Sequence, residues 1–155
     1  MKTFEELKED LLERAKKHHA CQDGYSMGLN AKSKQDLLKA ITDNWYWVLS
    51  TSKMIDANYL EKNFTEEELT EAGIYTRKEH TSNAKSFACG SATVEAYGSA
   101  TVEACGSATV EAYDNSYVED CTKNINTVSD HGIVKDYYNH KIYIKKGKFE
   151  IIEIE

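Results

Sequence analysis

The sequence predicts an α+β protein: a small N-terminal helical bundle, then a short β-solenoid, then a C-terminal β-hairpin cap. Three observations predict it. The unit Gly-Ser-Ala-Thr-Val-Glu-Ala recurs three times without change, behind Cys89, Tyr97 and Cys105 in turn, and a short fixed period marks stacked coils. The residues before it carry apolar side chains at helical spacing behind capping signatures. The residues after it read as two strands around a Lys-Lys-Gly-Lys turn. The expected boundaries are 1–78 for the helical domain, 79–136 for the solenoid, and 137–155 for the capping hairpin or dimerisation strands.

Thr3 with Glu6 forms a capping box, and Phe4, Leu7, Leu11, Leu12 and Ala15 follow at helical spacing, giving a first helix over roughly 4–19. Lys16, Lys17, His18 and His19 suit its C-terminal end, and Cys21-Gln-Asp-Gly24 reads as a turn. Ser33 with Asp36 starts a second helix whose buried stripe is Leu37, Leu38, Ile41, Trp45 and Val48, running to about residue 50. Residues 54–63 admit a further short helix. Thr65 and Glu68 then form another capping box, with Phe64 placed to staple against Leu69 and Gly73 to end the helix.

Trp45, Tyr46 and Trp47 are consecutive, so on a helix they point about 100° apart and cannot share one core. One ring is expected to pack on the first solenoid coil and join the two modules. The alternative for Trp45 and Trp47 is a partner-binding hot spot, since such rings are enriched in interfaces. His18, His19 and Cys21 lack a second ligand cluster, so no metal is expected there, and no cofactor is expected anywhere in the chain.

In each octapeptide Ala, Val and Ala alternate with Thr and Glu, the period of a strand with one buried face, and Gly-Ser marks the corner. The frame extends in degenerate form from Thr81 to Asp136. Its first residue alternates Cys89, Tyr97, Cys105, Tyr113, Cys121, so the chemical period is sixteen. A two-sided coil of sixteen residues stacks Tyr97 on Tyr113 along one edge and the three cysteines along the other. A three-sided coil of 24 residues would set Cys89 over Tyr113 and ranks second. The inward side chains are small, so stability should rest on continuous backbone hydrogen bonds and stacked ladders, with the helical module capping one end. At the other end Ile142, Ile144, Ile151, Ile152 and Ile154 would supply the apolar contact of a homodimer. The chain contains no proline, which suits strands whose N–H groups all join ladders.

Charge is unevenly spread over the 155 residues: the first 80 hold 12 of the 19 Lys and Arg, whereas 89–120 hold none and six acids. A block of this sign repels nucleic acid and anionic membrane and suits a basic protein surface. The outward ladders are Thr93, Thr101 and Thr109 beside Glu95, Glu103 and Glu111, with Glu119 beyond them. Regular carboxylates at this spacing can imitate a phosphate backbone and occupy the basic groove of a nucleic-acid enzyme. Without an apolar leader or an 18-residue apolar run, the expected location is the cytoplasm, where the four cysteines stay free thiols. Nucleophile elbow, P-loop, paired metal spacing and Cys-His constellation are all missing from the pattern, so an enzyme is not expected.

Thr42-Asp-Asn-Trp-Tyr-Trp, Leu60-Glu-Lys-Asn-Phe-Thr-Glu-Glu-Glu-Leu and the three exact octapeptides resemble an uncharacterised set of proteins from gut anaerobes and their bacteriophages. Those join a helical N-terminal region to runs of Asn/Gly-x-Ala-Thr-Val-x-Ala, and the likeness covers most of the chain. The repeat is also similar to the pentapeptide-repeat solenoids, whose acidic members imitate DNA. The resemblance implies a small phage-encoded inhibitor of a host defence, such as an anti-CRISPR protein, and transfers no catalytic residue. The expected partner is a host protein with a basic surface, held by Glu95, Glu103, Glu111 and Glu119, by Trp45 and Trp47, or by both sets. The competing expectation is a structural protein whose solenoid ends associate into dimers or polymers.

Overall fold

The computed structural model describes residues 1–124 and 127–147. Among these residues five α-helices and one π turn precede ten strands. Helix α1 (Phe4–Lys17) opens on the expected capping box, in which the Thr3 hydroxyl accepts from the Glu6 N–H and the Glu6 carboxylate accepts from the Thr3 N–H. The predicted turn after it is instead the start of α2 (Gln22–Asn30), capped by the Cys21 thiol, which accepts from the Gly24 N–H at 3.4 Å. Nothing in α2 is buried, so it lacks the apolar period by which helices are read from sequence.

The single helix expected from 33 to 50 is broken in two. Helix α3 (Lys34–Asp43) ends at Asn44, whose side-chain amide donates to the Ala40 carbonyl at 2.9 Å. A π turn (Trp47–Thr51) follows, closed by the bond from the Ser52 N–H to the Trp47 carbonyl at 2.8 Å. Helices α4 (Ala57–Asn63) and α5 (Glu66–Glu71) are capped by Asp56 and by the Thr65–Glu68 box.

One polar cluster ties α1 to α4. The Asp10 carboxylate accepts from the Tyr59 hydroxyl at 2.6 Å and pairs with Lys2 at 2.8 Å and Arg14 at 3.1 Å. Burial pushes the Asp10 pKa up, but the bonds from Lys2, Tyr59 and Arg14 outweigh it and hold the group below the ordinary carboxylate range. A carboxyl lowered in the folded state contributes stability above its unfolded pKa and loses it as pH falls through the folded value. The Asp10→Asn variant should therefore be less stable by about 1–3 kcal/mol at pH 7. Its melting temperature should also fall less steeply than the native one between about pH 4 and pH 2, as read by thermal unfolding across that range.

The solenoid is built from β1 (Ile74–Tyr75), β2 (Glu79–Ser82), β3 (Lys85–Ala88), β4 (Thr93–Ala96), β5 (Thr101–Ala104), β6 (Thr109–Ala112), β7 (Tyr117–Asp120), β8 (Thr127–Val128) and β9 (Ile133–Asp136). Alternate strands pair in parallel. One sheet has the order β1-β3-β5-β7-β9 and continues into β10 (Lys141–Ile144), and the other has the order β2-β4-β6-β8. Thr93 faces Thr109 and Thr101 faces Tyr117, so the coil is two-sided with a sixteen-residue period. The first coil is shorter, with Glu79 facing Thr93 and Ile74 facing Phe87, because residues before the octads lack their fixed length.

Between the sheets, Val94, Val102, Val110, Val118 and Val134 are completely buried with the alanines beside them. Each valine stabilises its coil by about 1.5–3 kcal/mol through transfer from water. In the last coils the inner alanine gives way to Asp120 and Asp136, both buried. Asp120 accepts from the Thr122 N–H at 2.8 Å and Asp136 from the Asn139 N–H at 2.8 Å, so each carboxylate folds the turn that follows it.

Strand β10, the first strand of the expected C-terminal hairpin, pairs antiparallel with β9, with Asp136 opposite Lys141 and a turn at 137–140. The second strand expected after the Lys-Lys-Gly-Lys turn, with Ile151, Ile152 and Ile154, lies outside the described residues. The helical module is not simply an end cap. Trp45 packs on Phe87 of β3 with ring centroids 5.1 Å apart, Ser50 bonds Cys105 just after β5 at 3.0 Å, and Tyr46 meets Tyr137 just after β9 at 5.7 Å. The helices therefore run along the cysteine edge, where Cys89 and Cys105 belong to the same core as Leu7, Leu38 and Trp45. Gly90 sits at the tightest point of that contact: with φ +62°, a Cβ there would collide with the Thr76 carbonyl oxygen and lie 2.8 Å from the Ala57 methyl.

Candidate interaction faces of the solenoid

A strand with one buried face points its Thr and Glu outward, but a two-sided coil sends consecutive octads to opposite sheets. The expected single row of acids is thereby split. Glu95 and Glu111 face each other on the four-stranded sheet, whereas Glu103 and Glu119 face each other on the six-stranded one. This corrects the expectation of one acidic face carrying all four.

The two faces differ electrostatically. On the six-stranded sheet Lys85 pairs with Glu103 at 3.1 Å, and Lys135 lies in register with Glu119. The Glu119 carboxylate also accepts from the Tyr117 and Tyr137 hydroxyls, both at 3.1 Å. Two lysines thus balance two glutamates. On the four-stranded sheet the outward residues of the strands are Glu79, Glu95 and Glu111 with Thr81, Thr93, Thr109 and Thr127. None of these positions is basic, and among the described residues neither Glu95 nor Glu111 makes a salt bridge.

The edge beside that face carries the expected tyrosine ladder. Tyr97 and Tyr113 stack with centroids 4.8 Å apart and planes 7° from parallel. Their hydroxyls donate to Glu95 at 3.3 Å and to Glu111 at 2.5 Å, which orients both carboxylates at the rim. The bond to Glu111 holds the Tyr113 hydroxyl protonated, with its pKa pushed up to about 12; burial and then Glu95 raise that of Tyr97. Below the rings, Asp114 accepts from the Gly98 N–H at 2.8 Å, adding a further acid to the same side.

The opposite edge holds Cys89, Cys105 and Cys121, all free thiols. Burial, then the nearby Glu61 and Asp56, pushes Cys89 up to about 12. Cys105 and Cys121 share a hydrogen bond: Cys105, which also accepts from Ser50, is lowered, and Cys121 is raised. Cys21, at the start of α2, is the one exposed cysteine of the four. Titration of the native protein with a chromogenic disulfide should therefore show one fast thiol, and Cys21→Ser should abolish that phase while the slower ones persist.

The aromatic triplet divides as its geometry requires. Trp45 is 1% exposed and joins the modules, so its ring is core and offers no surface to a partner. Trp47 is half-buried and turns into the helical layer, whereas Tyr46 is 50% exposed. The basic residues that neutralise the six-stranded sheet were not singled out from sequence, although the sixteen-residue frame places Lys135 one coil beyond Glu119. Among the described residues no three His, Cys, Asp or Glu side chains converge as a metal site would need, and no helix is long and apolar enough to cross a membrane. No family model, curated protein or solved structure matches this chain.

Proposed function

We propose that the protein is a non-catalytic binding protein that offers its four-stranded sheet and tyrosine edge to a basic segment of another protein. The observation that carries this reading is the sorting of charge: lysines neutralise one face of the solenoid, while Glu95 and Glu111 stand in register on the other without a basic residue on their strands. Adjacent parallel strands lie about 4.8 Å apart, so these two carboxylates form neighbouring rungs that an extended arginine- or lysine-rich segment can bridge. The stacked Tyr97 and Tyr113 rings stiffen the rim next to them, and their hydroxyls orient the two carboxylates. In line with the resemblance of the repeats to phage-associated proteins, the partner class is a host defence or nucleic-acid-processing protein whose groove is basic, and the solenoid competes there with nucleic acid. Binding of an arginine-rich peptide should be saturable at low salt and weaken steeply as salt rises. Binding indifferent to salt would exclude the reading.

Self-assembly is a second reading, favoured by β10, where Ile142 is 66% and Ile144 50% exposed on the last strand of the six-stranded sheet. It requires that solution mass rise with concentration and that Ile142→Lys return the protein to a monomer.

A further inference from the structure

Among the described residues, one largely apolar pocket, partly open to solvent, belongs neither to the solenoid faces nor to the module junction. Helices α1, α2 and α3 and the π turn surround a cavity of about 240 Å³, walled by Leu12, Ala15, Ile41, Trp47, Val48 and Met54. Its lining includes no charged side chain. Ligand sites are concave and mostly apolar with a few placed polar groups, and this pocket has that character.

Helix α2 forms the outer wall, and its composition explains why the space stays open. Gly24 and Gly28 are four residues apart and so lie on one face of the helix, toward the cavity. A Cβ on Gly24 would stand 3.3 Å from Asn44 Oδ1, and one on Gly28 would stand 3.4 Å from a Leu12 methyl. The glycines let α2 lie close to its neighbours without sending a side chain inward. None of the α2 residues is buried, so the helix covers the space without filling it.

Asn44 supplies the polar group. Its amide nitrogen donates to the Ala40 carbonyl at 2.9 Å and lies 3.7 Å from Met27 Sδ. Those contacts fix the orientation of the amide and leave Oδ1, on the Gly24 side, as an acceptor at the cavity wall.

We propose that this cavity is a binding site for a small, uncharged aromatic molecule of the indole or phenol class. The ring lies among the apolar wall residues, and its single N–H or O–H donates to Asn44 Oδ1. Size and chemistry converge on that class. An apolar cavity of about 150 Å³ holds benzene, so this larger one admits a fused bicyclic ring. A charged ligand would lose its hydration with no counter-charge to replace it.

The test is calorimetric titration of the full chain with indole and, in parallel, with indene, which has the same ring size and no N–H. The expected result is saturable one-to-one binding of indole, with indene weaker by about 3- to 10-fold for want of the hydrogen bond. Ala40→Leu, which fills the cavity and leaves the Ala40 carbonyl in place, should abolish indole binding while the melting temperature holds or rises. Ala20→Leu, at another point of the lining, should do the same and serves if the first variant does not fold. Absence of saturable indole binding in the native chain, or undiminished binding in a folded cavity-filled variant, would overturn the site. Equal binding of indole and indene would overturn the role of Asn44.

Discussion

Trp45→Ala should destabilise the protein by about 3–5 kcal/mol, the range for removing a fully buried large aromatic ring. For a chain of this size that corresponds to a fall in melting temperature on the order of 10 °C. The effect is expected to be this large because the ring lies where the helical core meets strand β3 of the solenoid, 1% exposed and tilted against Phe87 at 5.1 Å. Removing it opens a cavity on both sides of the junction at once. Trp45→Phe should be far milder. The indole N–H of Trp45 is buried without a hydrogen-bond partner among the described residues, so the smaller ring discards a desolvated donor in exchange for its lost contacts. Phe87→Ala combined with Trp45→Ala should cost less than the sum of the two, as neighbours in one contact do. Thermal unfolding followed by circular dichroism checks all four variants. Native-like stability in Trp45→Ala would mean that the helices are not anchored to the solenoid through this ring.

Much of this architecture is legible in the sequence because the octapeptides repeat with so little noise. The Cys/Tyr alternation alone yields the sixteen-residue coil and the stacking of Tyr97 on Tyr113, since only a two-sided coil keeps like residues in register. The caps at Thr3 and Thr65 are equally direct, because a hydroxyl and a carboxylate three residues apart answer the free N–H groups of a helix start. What escapes the sequence is what depends on placement in three dimensions. Helix α2 has two inward glycines and no buried residue, so it has no apolar period to detect. The break at Asn44 comes from one side-chain bond back to Ala40, which local periodicity cannot register.

The cysteine ladder reads as an edge, but its role as the seat of the helical layer needs Ser50 and Trp45 to be brought to it across the fold. The glutamates carry the sharpest lesson. Glu95, Glu103 and Glu111 sit in the same seven-residue unit, yet alternate octads face opposite ways, and of the three only Glu103 meets a lysine.

That last difference is the second large expected effect. The pair Glu95 and Glu111 should behave differently from the pair Glu103 and Glu119 toward a basic partner. Glu95 and Glu111 lie on the uncompensated face beside the tyrosine edge, so a cation arriving there gains their attraction in full. Glu103 and Glu119 already have Lys85 and Lys135 beside them, so a cation approaching that face meets a neutral surface. Exposed charge pairs are worth up to about 1 kcal/mol each and are screened by salt, so two of them amount to roughly a 10-fold change in affinity. Glutamine is the suitable replacement because it keeps the shape of each ladder and removes only the charge.

The most direct measurement is therefore the affinity of an arginine-rich peptide at low salt for the native chain and for two double variants. Glu95→Gln with Glu111→Gln should weaken binding about 10-fold, whereas Glu103→Gln with Glu119→Gln should change it less than about 2-fold. Equal losses in the two variants, or a larger loss from the second, would contradict the assignment of the binding face.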